Sequence, residues 1–227
     1  MIRRMTTEDI PAAMLLKRAA GWNQTEQDWA NILALEPEGC WVYEHEGQVA
    51  ATTTVICYGR DLAWIGMVLV LPAVRGRGYA RALMEHALRF IEQRRVRVTR
   101  LDATEMGRPL YAKLGFREES GIERWTTSAV RALRPQSPVP AERLQSVPAI
   151  AALDQRAFGA DRTRVLGRLL ACFPGEGIGV PEGFGMQRPG SGPYFLGPCV
   201  AHDAATARAL IETLLARRTG EAVFWDL

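Results

Sequence analysis

The chain is poor in several things, and each shortage removes a class of function. It has four cysteines, Cys40, Cys57, Cys172 and Cys199, none in a CxxC pair and none with a histidine at ligand spacing. Neither a structural metal nor a disulfide framework is therefore indicated, and the thiols are expected to be reduced and mostly buried. Histidine is scarcer still: His45, His86 and His202 stand far apart in the sequence and read as isolated, exposed side chains. No run approaches the roughly 18 apolar residues that cross a membrane. The opening Met1-Ile2-Arg3-Arg4-Met5-Thr6-Thr7-Glu8-Asp9 is not followed by the apolar stretch of a secretory signal. These absences predict a cytoplasmic protein away from membranes. An excess of one charge is also lacking, since 28 basic against 25 acidic residues leave a net charge of +3. That balance does not argue for a nucleic-acid partner. The basic run Arg94-Arg95-Val96-Arg97 reads instead as cations set against the negative end of a helix.

Apolar residues, by contrast, make up 48% of the chain and are interspersed with charge, which is enough to bury a core. Their spacing predicts a helix over Thr7 to Ala19, closed by Gly21, and a second helix opened by a Thr25/Asp28 capping box. A hairpin follows, with strands Cys40 to Tyr43 and Gln48 to Cys57 around the Glu46-Gly47 turn. A further strand, Ala63 to Val70, leads through a loop into an amphipathic helix over Tyr79 to Arg94. Next come a strand over Arg97 to Ala103, a short helix over Gly107 to Leu114 stopped by Gly115, and a strand over Ile122 to Thr127. The order implies an α/β (α+β) fold with a mixed central sheet and a parallel pair where the Tyr79 helix crosses over.

Arg134-Pro135-Gln136-Ser137-Pro138-Val139-Pro140 is proline-rich without apolar periodicity and reads as a linker, taken as residues 131–141 between domains at 1–130 and 142–227. The second domain reads as a smaller, degenerate copy of the first. Lys17-Arg18-Ala19-Ala20-Gly21 matches Gln155-Arg156-Ala157-Phe158-Gly159, and Thr25 matches Thr163. Ala80-Arg81-Ala82-Leu83 matches Ala207-Arg208-Ala209-Leu210, and Asp102 matches Asp226. On that alignment the second copy stops at its fifth strand, so either it is truncated or the first domain completes it.

The segment with chemistry in it is Trp64-Ile65-Gly66-Met67-Val68-Leu69-Val70-Leu71-Pro72-Ala73-Val74-Arg75-Gly76-Arg77-Gly78-Tyr79-Ala80. A strand ends, a Gly/Arg loop turns, and a helix begins. Helix N-termini present unpaired N–H groups and partial positive charge, glycine admits close approach, and Arg75, Arg77 and Arg81 add full charges, so the segment suits a pyrophosphate. It is not a P-loop, because GxxxxGK followed by Ser or Thr is absent. It also fails as a dinucleotide fingerprint, because Arg81 stands where a small residue must pack.

The pattern Arg75-x-x-Gly78-x-Ala80, preceded by Val70-x-Pro72, resembles the acyl-CoA-binding signature of the GNAT superfamily of N-acyltransferases. Leu110-Tyr111-Ala112-Lys113-Leu114-Gly115-Phe116 resembles that superfamily's downstream tyrosine segment. Gly21-Trp22-Asn23-Gln24-Thr25, Leu101-Asp102-Ala103-Thr104 and Phe158-Gly159-Ala160-Asp161-Arg162 are similar to tandem members with an N-terminal acetyltransferase domain and a degenerate second domain. The resemblance implies transfer of an acetyl group from acetyl-CoA to a primary amine by direct attack on the thioester. It implies pantetheine pairing with the backbone of Val68, Leu69 and Val70, and phosphate contacts from Arg75, Gly76, Arg77, Gly78, Tyr79, Ala80 and Arg81. Thr104 stands where many relatives have a cofactor-contacting asparagine. Tyr111 matches the general acid that protonates the leaving thiolate, with packing on the cofactor as its other reading. The strand Ala63 to Val70 lacks the glutamate that serves many relatives as base. Asp102, Glu105, Glu26 and a relayed water stay open for that role, while Asp28 reads as a cap. Trp22, Asn23 and Gln24 lie in the loop that lines the acceptor side in the superfamily. The expected partners are a small-molecule or protein amine and a second copy in a homodimer, without nucleic acid, membrane or metal. A non-catalytic acyl-CoA sensor is the competing reading.

Overall fold

Long β-branched and apolar stretches in the first half of the chain leave little choice but a sheet, and the computed structural model, which describes residues 1–133 and 141–226, shows it. The chain divides into two units, Met1–Ser120 and Gly121–Leu227. The first runs β1 (Ile2–Arg4), α1 (Ile10–Ala19), α2 (Glu26–Leu35), β2 (Cys40–His45), β3 (Gln48–Tyr58), β4 (Leu62–Val70), α3 (Tyr79–Gln93), β5 (Val98–Leu101) and α4 (Arg108–Lys113). Its sheet has the order β1-β2-β3-β4-β5. All neighbours are antiparallel except β4 and β5, which the α3 crossover makes parallel. The Thr25/Asp28 box opens α2 as its spacing implies: Thr25 N–H donates to the Asp28 carboxylate at 2.7 Å, and Asp28 N–H donates to Thr25 Oγ1 at 3.3 Å.

Each face of this sheet carries its own core. Met14, Leu16, Trp29 and Leu33 from α1 and α2 pack on Val42, Met67 and Leu69. On the other face Leu83, Met84, Ala87 and Ile91 of α3 pack on Trp41, Val55, Ala63 and Ile65. Fully buried side chains of this kind each contribute on the order of 1.5–3 kcal/mol. Strand β1 carries no sequence signal of its own, being three residues with two arginines, and forms only because Ile2 to Arg4 pair with Tyr43 to Trp41.

The second unit runs β6 (Arg124–Thr127), β7 (Glu142–Arg143), α5 (Pro148–Phe158), α6 (Thr163–Cys172), β8 (Gly177–Val180), β9 (Gly183–Arg188), β10 (Tyr194–Ala201), α7 (Ala204–Ala216) and β11 (Val223–Asp226). Its sheet order is β6-β11-β10-β9-β8-β7, and β10 and β11 are the parallel pair. The alternation Gly183-Phe184-Gly185-Met186 sorts its two faces. A Cβ on Gly183 or Gly185 would lie 2.9 Å from Leu210 or 2.8 Å from Leu214, so α7 can seat only on glycine, while Phe184 and Met186 turn to the core beneath α5 and α6. The plan of the first sheet is thus repeated, with paired helices on one face and a crossover helix on the other.

The unit boundary falls between Ser120 and Gly121, earlier than the sequence-based limit of 130. The strand expected to close the first sheet, β6, lies in the second sheet instead, antiparallel to β11 from Arg124↔Asp226 to Thr127↔Val223. Its side chains explain the choice. Arg124 donates twice to Asp226, at 2.7 and 2.8 Å, and lies over the Phe224 ring, and Trp125 stacks on Trp225. Residues 134–140 of the expected linker lie outside the described residues.

Candidate active site

The site is built by a fault in strand β4. Its pairing with β3 slips between Thr52↔Leu69 and Thr54↔Gly66, so that β4 carries one extra residue. Met67 absorbs it with φ +51, a left-handed conformation that a non-glycine side chain adopts at a cost, and Thr52 Oγ1, fully buried, donates to the Met67 carbonyl at 2.7 Å. A bulge reverses the alternation of faces: Ala63 and Ile65 point to α3, whereas Met67 and Leu69 point to α1 and α2, and Val68 and Val70 take over the α3 side. Strand β5 follows β4 only from Leu62↔Val98 to Ile65↔Leu101 and then leaves. Past that point Val68, Leu69 and Val70 stay beside β3 on one edge, and on the β5 side no strand pairs with them among the described residues. Arg75 Nε donates to the Val70 carbonyl at 3.4 Å, at the end of this edge.

The loop after β4 turns through a 3₁₀ segment, Pro72–Val74, and reaches Gly78, the N-cap of α3. Gly76 and Gly78 take φ +78 and +83, and a Cβ at either would meet no atom within 4 Å. Glycine is used here for its backbone conformation, in front of open space. Among the described residues the N–H groups from Gly76 to Arg81 meet no protein acceptor. Six amides, the positive end of a 15-residue helix and two exposed arginines converge there. Arg81 is turned along the helix to Glu85 at 2.9 Å, and Ala80 is half-buried behind the loop.

Tyr111 reaches the α3 side of the sheet from α4. Its ring is 8% exposed, lies edge-on to Phe116, and passes so close to Gly107 that a Cβ there would sit 2.8 Å from Cε2 and 3.2 Å from Oη. No hydrogen-bond partner for its hydroxyl exists among the described residues. Burial pushes the Tyr111 phenol above its ordinary value, which keeps the proton on the oxygen. Thr104 has a structural use: its carbonyl accepts from Gly107 and Arg108 N–H, both at 2.9 Å, so it starts α4. Asp102 and Glu105 stand exposed on the segment between β5 and α4. Trp22 packs against the core that includes Met67 and Leu69, with Asn23 and Gln24 half-buried after it, and the Gln24 side-chain oxygen is buried without a partner. The structure thus gathers the β4 edge, the glycine loop and Tyr111 on the α3 side, and leaves the α1–α2 loop on the other face.

One participant is absent from the sequence reading. His45 is not isolated. Arg77 Nη1 lies 3.2 Å from its Nε2, Tyr79 Oη 3.0 Å from its Nδ1, and Tyr79 stacks on Tyr43 with centroids 4.1 Å apart. The antiparallel register is the signal that could have found it. Val70 pairs with Ala51 and His45 with Gln48, so the hairpin tip must stand beside the end of β4.

The second unit keeps the bulge and loses the loop. Strand β10 slips by one residue between Leu196↔Gln187 and Cys199↔Gly185, and β11 accompanies it only at Tyr194 and Phe195. Helix α7 then starts directly at Asp203, whose carboxylate accepts from Thr206 N–H at 2.8 Å and is held by that bond below the usual carboxylate range. Among the described residues no cluster of three or more His, Cys, Asp or Glu is placed to hold a metal, and no helix is long and apolar enough to cross a membrane. No disulfide links the four cysteines, and burial pushes the Cys40 thiol up to about 12.

A bulged strand splayed from its parallel neighbour, with a glycine loop feeding a crossover helix, defines the acetyltransferase class of GNAT proteins, and family comparison agrees. The Acetyltransferase (GNAT) domain is matched over residues 36–118 and a second Acetyltransferase (GNAT) domain over residues 150–227, so the chain belongs to this family as a tandem protein. The chain is similar to the uncharacterized N-acetyltransferase YitH of Bacillus subtilis (strain 168), 23% identical over 96% of this chain and 78% of the relative. It is also similar to the holothin acyltransferase of Pseudoalteromonas sp. (strain SANK 73390), 25% identical over 88% of this chain and 68% of the relative. In fold it resembles a Pyrococcus horikoshii structure proposed to be an acetyltransferase, with TM-score 0.82 and 23% identity over 97% of this chain and 78% of that one.

Proposed function

We propose that the chain transfers an acetyl group from acetyl-CoA to a primary amine, and that the first unit alone binds the cofactor. The observation that carries this reading is the set of unpaired amides from Gly76 to Arg81 at the start of α3. A pyrophosphate there gains N–H donors, a helix N-terminus and Arg75 and Arg77 together. The pantetheine arm then extends along the β4 edge at Val68 to Val70, where its amides take the place of the departed β5. The free amine attacks the thioester carbonyl from the side of Trp22, Asn23 and Gln24. The carbonyl oxygen gathers negative charge and is stabilised by a backbone N–H of the bulged strand, a contribution of about 10²–10³ in rate. As the C–S bond breaks, Tyr111 gives its proton to the departing sulfur; burial keeps that proton on the phenol until the thiolate forms. No acid stands on β4, so the amine's proton leaves to water or to the exposed carboxylates Asp102 and Glu105. In the second unit Asp203 fills the helix start that a phosphate would need.

Thiol release from acetyl-CoA, followed with a chromogenic disulfide across a panel from polyamines to peptide N-termini, tests the activity. Amine-dependent release that vanishes in Gly78→Glu supports it; saturating acetyl-CoA binding with no amine-dependent release across the panel counts against catalysis and for a cofactor sensor.

A further inference from the structure

We propose that His45 is a proton-linked latch on the cofactor loop, holding Arg77 in the free protein and taking up a proton when a pyrophosphate draws Arg77 away. The inference rests on the cofactor site proposed above. A guanidinium has only donors, so at 3.2 Å from Arg77 Nη1 the His45 Nε2 must accept. The ring is therefore neutral with its hydrogen on Nδ1, and at 3.0 Å that N–H donates to Tyr79 Oη. Tyr79 is in turn fixed by stacking on Tyr43, so the imidazole has little freedom to turn. Arg77 itself lies between Gly76 and Gly78 and is exposed, hence free to swing.

A phosphate oxygen binds a guanidinium more strongly than a neutral imidazole does, because the contact is charge-assisted and bidentate. When Arg77 leaves, two things change at Nε2: a donor cation is gone and a pyrophosphate with two negative charges has arrived; Glu46 Oε1 stays at 3.5 Å. Arg77, Tyr79, Tyr43 and Glu46 are the titratable groups around the ring among the described residues. Both changes, and the carboxylate that stays, favour the imidazolium. A solvent proton adds to the freed lone pair on Nε2, no bond breaks, and the bound complex carries one more proton than its parts. Affinity for acetyl-CoA therefore rises as pH falls, by up to about tenfold for each unit by which binding raises the histidine.

Calorimetric titration of the full chain with acetyl-CoA, in two zwitterionic buffers of unequal ionisation enthalpy, measures the proton directly. The wild type is expected to take up a fraction of a proton on binding within the range pH 8 to pH 6, and its dissociation constant to fall several-fold across that range. His45→Gln keeps an acceptor for Arg77 and does not titrate. It should bind within about threefold of wild type at pH 8 and lose the additional uptake. The cofactor's own phosphates titrate alike in both proteins, so the difference isolates His45. Equal uptake in the two proteins, or none in the wild type, overturns the latch and leaves the cofactor site standing; no binding by the wild type at pH 8 removes both.

Discussion

Gly107→Ala is the sharpest test of the role given to Tyr111, because it moves the tyrosine without altering it. Gly107 has φ −81 and ψ −29, a helical conformation that alanine adopts without strain. The new Cβ, however, would sit 2.8 Å from Tyr111 Cε2 and 3.2 Å from both Cζ and Oη, where ordinary contact begins at 3.4 Å. The ring must retreat by at least 3.4 − 2.8, or about 0.6 Å, and its hydroxyl moves with it. Displacements approaching 1 Å at a reacting group cost up to about 10²-fold, so kcat is expected to fall by about 10-fold to 10²-fold. Acetyl-CoA affinity, set at the far loop, should change little. Tyr111→Phe breaks no hydrogen bond within the described residues, and should leave stability nearly intact while lowering kcat by about 10²–10⁴. The decisive comparison is the double variant, measured by thiol release under saturating acetyl-CoA. If Gly107→Ala acts through the tyrosine proton, adding it to Tyr111→Phe lowers kcat no further. Wild-type turnover in Gly107→Ala, or fully multiplicative losses in the double variant, would refute the assignment of Tyr111 as the acid.

Two further predictions concern the scaffold. Thr52→Val removes the buried hydroxyl that ties the Met67 carbonyl at 2.7 Å, and should destabilise the chain by about 1 kcal/mol in urea unfolding while weakening acetyl-CoA binding through the relaxed bulge. Asp9 is held below the usual carboxylate range chiefly by Arg3, which donates to it at 2.7 and 2.8 Å. Since its folded value is depressed, its stabilisation is present above the unfolded value near about 3.9 and is lost as pH falls through the folded one. Asp9→Asn should flatten the acid limb of the Tm profile between pH 7 and pH 3, and an acid limb identical to wild type would contradict this.

Local signals carried far in this chain where the physics was local. The amphipathic spacing of α3, the capping box of α2, the Glu46-Gly47 turn and the glycines before Tyr79 each depend on residues within a few positions, and each is found where its pattern places it. The cap that Asp203 forms at the start of α7 is equally local, a bond to Thr206 three residues on. Features fixed by distant partners were not. Strand β1 exists only against β2, about forty residues on, and β6 takes its place from Asp226 and Trp225, about a hundred residues on. Gly66 marks the neighbourhood of the bulge, but that Met67 absorbs the extra residue depends on a hydroxyl fifteen residues away. His45 was misread because counting histidines cannot show that a hairpin tip folds back onto a helix start. The missing strand acid, by contrast, is a true feature of the sequence, and the buried carboxylates among the described residues, Asp9, Asp28, Glu36 and Asp154, all lie outside β4.

The place and the number of cofactor sites per chain separate one working unit from two. Calorimetric titration of acetyl-CoA into the wild type and into Gly78→Glu measures both. Gly78 holds φ +83 in front of open space, so a glutamate there strains the backbone and puts a carboxylate among the unpaired amides of α3. One site per chain in the wild type, and no measurable heat of binding in Gly78→Glu, is the predicted result. Two equivalent sites per chain, or an unchanged dissociation constant in the variant, would contradict it.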